Sequence, residues 1–274
     1  MSSPQQIIVS GGFDDIKSRD LRFLEAAAKL GDVTAVLWGD HLIELAAGRR
    51  PVFSAAERLY FLNAIRFVSR VIQIDDHVSL DSLPEIPGWN PQIWADVEAP
   101  ANMARAQFCR GRKITYRVFL ADELSGFPEL PPMPSAPGRK KVVATGCYDW
   151  FHSGHVRFCE EASAFGDLYV CLGNDANVRL LKGPGHPLLT QEERRYVVGS
   201  IKYVKQALIT TGSGWVDADP EIRRLKPDIY VVNEDGDKGG KREYCRELGI
   251  EYLVLQRTPA PGLPKRSSTE LRGF

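Results

Sequence analysis

"KVVATGCYDWFHSGH", residues 141–155, decides how this chain is read. "KVVAT" is a short β-branched strand, Gly146 permits a tight exit from it, and "GHVRFCEEASAF" (154–165) carries Val156, Cys159, Ala162 and Ala164 on one side of a helix. The unit is therefore strand, turn, helix. A helix N-terminus offers unpaired amides and the positive end of a dipole, which favours phosphate. His152 and His155 share one face if the first turn is helical. Three readings stand for them: part of a metal site, two structural histidines, or a phosphate-handling pair. Metal sites usually take three or four protein ligands, and the remaining histidines, His41, His77 and His186, are scattered.

The same frame occurs earlier in the chain. "GGFDDIKSRDLRFLEAAAKLGD" (11–32) falls on "GCYDWFHSGHVRFCEEASAFGD" (146–167) at an offset of 135. "PVFSAAERLYFLNAIRFV" (51–68) falls on "PLLTQEERRYVVGSIKYV" (187–204), with Pro51 on Pro187, Glu57 on Glu193, Arg58 on Arg194 and Tyr60 on Tyr196, at an offset of 136. One inserted residue accounts for the difference. A repeat this long is a duplicated domain, not a solenoid. "ELPPMPSAPGRKK" (129–141) joins the copies, and its prolines and small residues read as a linker over 131–139 between domains 1–130 and 140–274.

Each copy alternates strand and helix. In the second, "DLYVCLG" (167–173), "DIYVVN" (228–233) and "EYLVL" (251–255) read as further apolar strands. "TQEERRYVVGSI" (190–201) reads as a helix opened by a capping box from Thr190 to Glu193, and "KREYCREL" (241–248) as one that stops at Gly249. Buried strands separated by helices predict an α/β protein: two tandem Rossmann-like domains, each a doubly wound parallel sheet, with ligands beyond the carboxyl ends of the strands.

Composition narrows the function classes. The chain has 274 residues, and Lys plus Arg equals Asp plus Glu at 35 each, so bulk charge gives no drive toward nucleic acid. No apolar run approaches a membrane span, "MSSPQQ" before "IIVSGG" is not a signal peptide, and the five cysteines form no paired C-x-x-C. A cytoplasmic protein with reduced thiols is the expectation. Cys147 is expected to be a small buried filler.

Other groups suited to phosphate recur down the second copy. "LLKGPGHP" (180–187) is a Gly/Pro loop carrying Lys182, whose alternative is a solvated surface lysine. Arg194 follows Glu193 early in a helix, where a salt bridge is the alternative. "VVNEDGDKGGK" (231–241) leaves a strand end as a charged, Gly-rich loop. "RSSTELR" (266–272) presents Ser267, Ser268 and Thr269, and Ser267 with Glu270 also reads as the cap of a further helix.

These stretches resemble a known family. "GCYDWFHSGH" is similar to the G-x-F-D-x-x-H-x-G-H signature of the nucleotidyltransferase superfamily, with Tyr148 in place of Phe. "KGPGHPLLTQEERRYVVGSIKYV" resembles the lysine loop and E-R-x-x-x-V helix of its cytidylyltransferase branch, which includes the ethanolamine-phosphate and glycerol-phosphate enzymes. "RTPAPGLPKRSSTELR" (257–272) resembles that branch's R-T-x-G-I-S-T-T motif, with about six residues inserted after Thr258 and Arg266 in place of an aliphatic residue. "SSTELR" also looks like the ending of several adenylyltransferases. The resemblance implies transfer of CMP from CTP to a small phosphorylated or phosphonate acceptor, with pyrophosphate released. ATP as donor, and a nucleotide-binding regulator without turnover, are the alternatives. It implies His152, His155 and Lys182 as catalytic residues. Gly146, Cys147, Tyr148, Asp149, Gly154, Asn233, Asp235 and Arg257 would lie near the nucleotide, with Arg194, Ser267, Ser268 and Thr269 on the β and γ phosphates. Mg²⁺ would accompany the triphosphate, with no dedicated protein metal site. In the first copy Lys17, Ser18, Arg19 and Asp20 replace the H-x-G-H unit, no lysine stands near Ala47, and Pro131, Pro132 and Met133 fall opposite the hydroxyl run. That copy is expected to be a catalytically empty partner, the two halves forming an internal pseudo-dimer.

Overall fold

The computed structural model describes residues 4–76, 79–97 and 102–268. The chain divides into two compact units, Met1–Gly126 and Phe127–Phe274.

The first unit contains β1 (Gln6–Gly11), α1 (Ser18–Ala28), β2 (Asp32–Trp38), α2 (Asp40–Ala47), α3 (Ala55–Ala64), β3 (Arg70–Ile74), β4 (Ile93–Val97), α4 (Met103–Arg112) and β5 (Thr115–Phe119). The second contains β6 (Lys141–Gly146), α5 (Ser153–Ser163), β7 (Asp167–Leu172), α6 (Asp175–Lys182), α7 (Gln191–Gly199), β8 (Val204–Ile209), α8 (Asp219–Leu225), β9 (Ile229–Asn233), α9 (Lys241–Leu248) and β10 (Glu251–Leu255). The sheets run β3-β2-β1-β4-β5 and β10-β9-β6-β7-β8, and the paired strands are parallel. Numbered from its own start, each sheet has the order 3-2-1-4-5. Register repeats too: Gln6 pairs with Asp32 and Lys141 with Asp167.

The chemistry of the central strands explains their position. Ile7, Ile8 and Val9 of β1, and Val142, Val143 and Ala144 of β6, are completely buried. A strand covered on both faces needs a continuous apolar run. Each fully buried Val or Ile contributes about 1.5–3 kcal/mol relative to exposure. The strand order reverses beside β1 and β6, so the crevice past their carboxyl ends is where such a sheet takes a ligand.

The predicted strands at 141–145, 167–173, 228–233 and 251–255 are β6, β7, β9 and β10. Thr190 caps α7 by accepting from the Glu193 amide at 3.3 Å, and α9 ends at Gly249 with φ 68°, a left-handed conformation that favours glycine. The structure adds α6, β8 and α8 to this reading. Lys182, read as part of a Gly/Pro loop, is the last residue of α6, and the chain turns only at Gly183. The helix start expected at 266–272 extends beyond the described residues.

The stretch read as a linker is held along the second unit. The Met133 amide donates to the Lys205 carbonyl at 2.9 Å, Ser135 bonds Asp167, and the Phe127 ring lies 5.9 Å from that of Tyr196. Proline removes amide donors but leaves carbonyls and side chains to make such contacts.

Candidate active site

The turn from β6 into α5 is built around one strained residue. Tyr148 has φ 54°, unusual for a bulky side chain, and its ring folds back over Gly146. A Cβ at Gly146 would lie 2.7 Å from that ring, so only glycine fits. His152 is the N-cap of α5, and its Nδ1 accepts from the Gly154 amide at 3.1 Å. That bond puts the proton of the neutral ring on Nε2, making Nε2 a donor. The His155 ring lies 4.0 Å from the His152 ring, stacks on Phe151 at 5.2 Å and meets Tyr148 edge-on at 5.2 Å. Among the described residues, His155 Nδ1 is buried with no hydrogen-bond partner. Desolvation, then the neighbouring His152, Arg257 and Lys182, push the His155 pKa well below the usual imidazole range. The site therefore holds a neutral imidazole beneath a cluster of positive charge.

The C-terminal segment crosses this helix start. A Cβ at Gly154 would lie 3.0 Å from the His152 ring, a tight approach, and 3.6 Å from the Arg266 carbonyl, which is ordinary contact. Arg257 Nη2 donates to that same carbonyl at 3.0 Å, and its other arm pairs with Asp235. The Ser268 hydroxyl donates to the Trp150 carbonyl at 3.2 Å. Gly154, Asn233, Arg257 and Arg266 line one cavity. Ser267 is partly buried beside Ser268, and Lys182 is exposed at the end of α6. Thr269 lies outside the described residues. Among the described residues, no group of three or more His, Cys, Asp or Glu is placed to hold a metal ion.

Residues 143–274 match the family model described as Cytidylyltransferase-like. The FAD synthase of Ferroglobus placidus is 38% identical over 120 residues, covering 43% of this chain and 75% of that protein. The chain belongs to the cytidylyltransferase-like family. The bifunctional protein HldE of Campylobacter concisus is 34% identical over 149 residues, covering 52% of this chain and 30% of that protein. HldE of Campylobacter curvus is 40% identical over 100 residues, with 36% and 21% covered. The chain thus spans under a third of these HldE proteins.

Two residues of the cytidylyltransferase-like domain are held by several bonds within the protein. Arg194 is completely buried. Its Nε donates to the Leu189 carbonyl at 3.1 Å, Nη1 to the Cys147 carbonyl at 2.7 Å, and Nη2 to the Gly173 carbonyl at 2.8 Å and Asp175 at 2.7 Å. Each of its three nitrogens donates to an acceptor of the protein. It fastens the histidine turn, the end of β7, the start of α6 and the loop before α7 together. Asp149, also buried, accepts from the Leu188 and Leu189 amides at 2.6 and 3.1 Å and from His186 Nδ1 at 3.1 Å. It pins the 186–189 loop to the histidine turn. Cys147 is partly buried, and its carbonyl is one of the Arg194 acceptors.

The first unit repeats this scaffold outside the match to the family model. Arg58 donates to Phe53, Gly12 and Trp38 carbonyls and to Asp40, with Nε to Phe53 at 2.9 Å and Nη2 to Asp40 at 2.6 Å. These partners fall on Leu189, Cys147, Gly173 and Asp175 at offsets of 135 or 136. Asp14 accepts from the Val52 and Phe53 amides, as Asp149 does from its loop. Phe13 has φ 48°, matching Tyr148. The histidine positions differ: Lys17 pairs with Asp15 at 2.7 Å, and Asp20 accepts from the Lys17 amide at 2.8 Å. Sequence reading missed the scaffold role of both arginines. The signal was available, because a group retained where the histidines are absent serves something common to both copies.

Proposed function

We propose that the second unit transfers a nucleotidyl group from a nucleoside triphosphate, CTP foremost, to a phosphate or phosphonate oxygen of a small acceptor. The observation that carries this reading is the pair of imidazoles with ring centroids 4.0 Å apart at the α5 N-terminus, under the crossing of Arg257 and the Arg266–Ser268 segment. In the step, an acceptor oxygen attacks the α-phosphorus in line. The new P–O bond forms as the bond to the β-phosphate oxygen breaks, and pyrophosphate leaves with that electron pair. No covalent protein intermediate is needed, so positioning and charge stabilisation supply the catalysis. His152 Nε2–H and the α5 amides meet the phosphates, while Lys182 neutralises the α-phosphate and the incoming group. Arg257, Ser267, Ser268 and Thr269 serve the outer phosphates, and Mg²⁺ arrives as part of the triphosphate substrate.

CTP is favoured by the "KGPGHP" loop and "TQEERR" helix, which resemble the cytidylyl branch, and by the family description. ATP is the second reading, because the product named in the relative FAD synthase contains an adenylyl group. The test is pyrophosphate release with CTP or ATP across a panel of small phosphorylated acceptors. One pairing with CTP should turn over fastest, and His152→Ala or His155→Ala should lower its kcat by roughly 10²–10³. Unchanged turnover in either variant would remove that histidine from the mechanism, and faster reaction with ATP would replace CTP.

We also propose that the first unit is catalytically empty. Its equivalent helix start carries Lys17 already paired with Asp15, and Asp20 adds a carboxylate where His155 stands in the other copy.

A further inference from the structure

Lys182 closes the last turn of α6, and among the described residues neither it nor Arg179 of the same turn forms an ion pair. After burial, His152 and Arg257, the Lys182 charge also disfavours the His155 imidazolium, so this lysine lies within electrostatic reach of the histidine turn. A phosphate held between that turn and Lys182 leaves its organic part beside the end of α6. The surface there is apolar. Leu180 and Leu181 on the last turn of α6, and Leu188 beyond the Gly/Pro loop, are 65%, 50% and 52% exposed. α6 packs against the turn 214–216 through Asn177, whose Oδ1 accepts from the Gly214 amide at 2.7 Å and whose Nδ2 donates to the Gly214 carbonyl at 3.2 Å. Leu180 and Leu181 stand three and four positions after Asn177, on the same side of the helix. The turn itself adds the exposed Trp215 and Val216. Five of the nine large apolar side chains exposed among the described residues thus lie on α6, the loop after it and this turn. Single exposed leucines are ordinary, whereas a group of them beside an anion site marks a surface that is covered in use.

The first unit separates frame from function. At an offset of 135 its helix α2 ends Leu45-Ala46-Ala47, against Leu180-Leu181-Lys182 in α6. Leu45 is exposed as Leu180 is, so that leucine belongs to the common frame. The second leucine and the lysine occur in the unit that has the imidazole pair. We propose that this surface holds the organic part of the acceptor, which is a soluble phosphomonoester with an apolar body, an alkyl or ring group, rather than a polyol phosphate. This rests on the proposed nucleotidyltransferase reading and deepens it by naming the substrate class. The phosphate lies at Lys182 and the body along Leu181, Leu188 and Trp215. A polyol needs directed hydrogen-bonding side chains, and these offer mainly hydrocarbon.

The probes are n-alkyl phosphates from methyl to hexyl, with glycerol phosphate as the polar counterpart of propyl phosphate. They are titrated calorimetrically into the full chain in the presence of an α,β-non-hydrolysable CTP or ATP analogue. In wild-type protein the dissociation constant should fall about two- to fourfold for each added methylene, and propyl phosphate should bind more tightly than glycerol phosphate. Leu181→Ser combined with Leu188→Ser should flatten that gradient, whereas Leu45→Ser in the first unit should keep it. A flat wild-type series, glycerol phosphate equal to propyl phosphate, or a gradient unaltered in the double variant would overturn the inference. A Leu181-dependent dimer in sedimentation, or capture by neutral lipid vesicles, in place of a gradient would also overturn it and give the surface to a second copy or a membrane. Pyrophosphate release separates this inference from the proposed function. Release with glycerol phosphate but no gradient overturns the acceptor class alone. A gradient without release from any nucleoside triphosphate supports the ligand class and overturns the proposed function.

Discussion

At the scale of single residues, the informative group is His155. Its ring is neutral before a nucleotide arrives, because burial and the neighbouring His152, Arg257 and Lys182 disfavour the imidazolium. A triphosphate placed against it would favour the charged form and raise its pKa. Nucleotide binding should then take up a proton, and affinity should fall as pH rises through the pKa of the complex. Calorimetry in buffers of different ionisation enthalpy reads that uptake directly, and His155→Gln should abolish its share. The same shift has a stability consequence. Unfolded His155 titrates near about 6.5, and the folded group titrates lower. Between those values the unfolded chain binds the extra proton. The ligand-free fold should therefore keep this contribution above about pH 6.5 and lose it as pH falls toward the folded value. Thermal denaturation of wild-type and His155→Gln proteins across this range should show a flatter profile for the variant. Equal profiles would mean that His155 is not held neutral.

At the scale of elements, Arg58 and Arg194 each tie three carbonyls and one carboxylate from separate segments. Removing a buried guanidinium leaves those acceptors unpaired, at a cost of about 3–5 kcal/mol. Arg58→Ala and Arg194→Ala should destabilise by comparable amounts in denaturant titrations, although only Arg194 stands in the unit with the histidines. If Arg194→Ala instead left stability intact and raised only the nucleotide KM, the phosphate-ligand role would be restored. The sequence was a good guide to β6, β7, β9, α7 and α9, because apolar runs, a capping box and a glycine stop are local signals. It was a poor guide to α6. Leu180 and Leu181 beside a Gly/Pro stretch looked like loop, and both are in fact exposed on the last turn of that helix. The short helix is fastened at its start through Asp175, which no local pattern announces.

At the scale of the whole molecule, two units share a strand order, a register and an arginine network, while only the second carries the imidazole pair. The reading of an empty first unit predicts one nucleotide site per chain. Titration of the full chain with a non-hydrolysable CTP analogue should give a stoichiometry near one. Substituting His152 and His155 together should weaken that single event without uncovering another. A second equivalent event would show that Lys17 and Asp20 do not prevent nucleotide binding in the first unit.

Sequence alone determined the α/β class and the position of the histidines at the opening of a helix. Both are written in spacing: periodic apolar residues and a glycine next to a turn. Tertiary structure decided what the charged residues do. Arg194 and Asp149 read as ligand-binding groups because arginine and aspartate commonly meet nucleotides, but function depends on which partners consume their hydrogen bonds. Those partners, Cys147, Gly173, Asp175 and Leu189 for one and Leu188 with His186 for the other, come together only when the strand ends assemble. The burial of Asn233 Oδ1 with no hydrogen-bond partner among the described residues is likewise a property of three-dimensional surroundings.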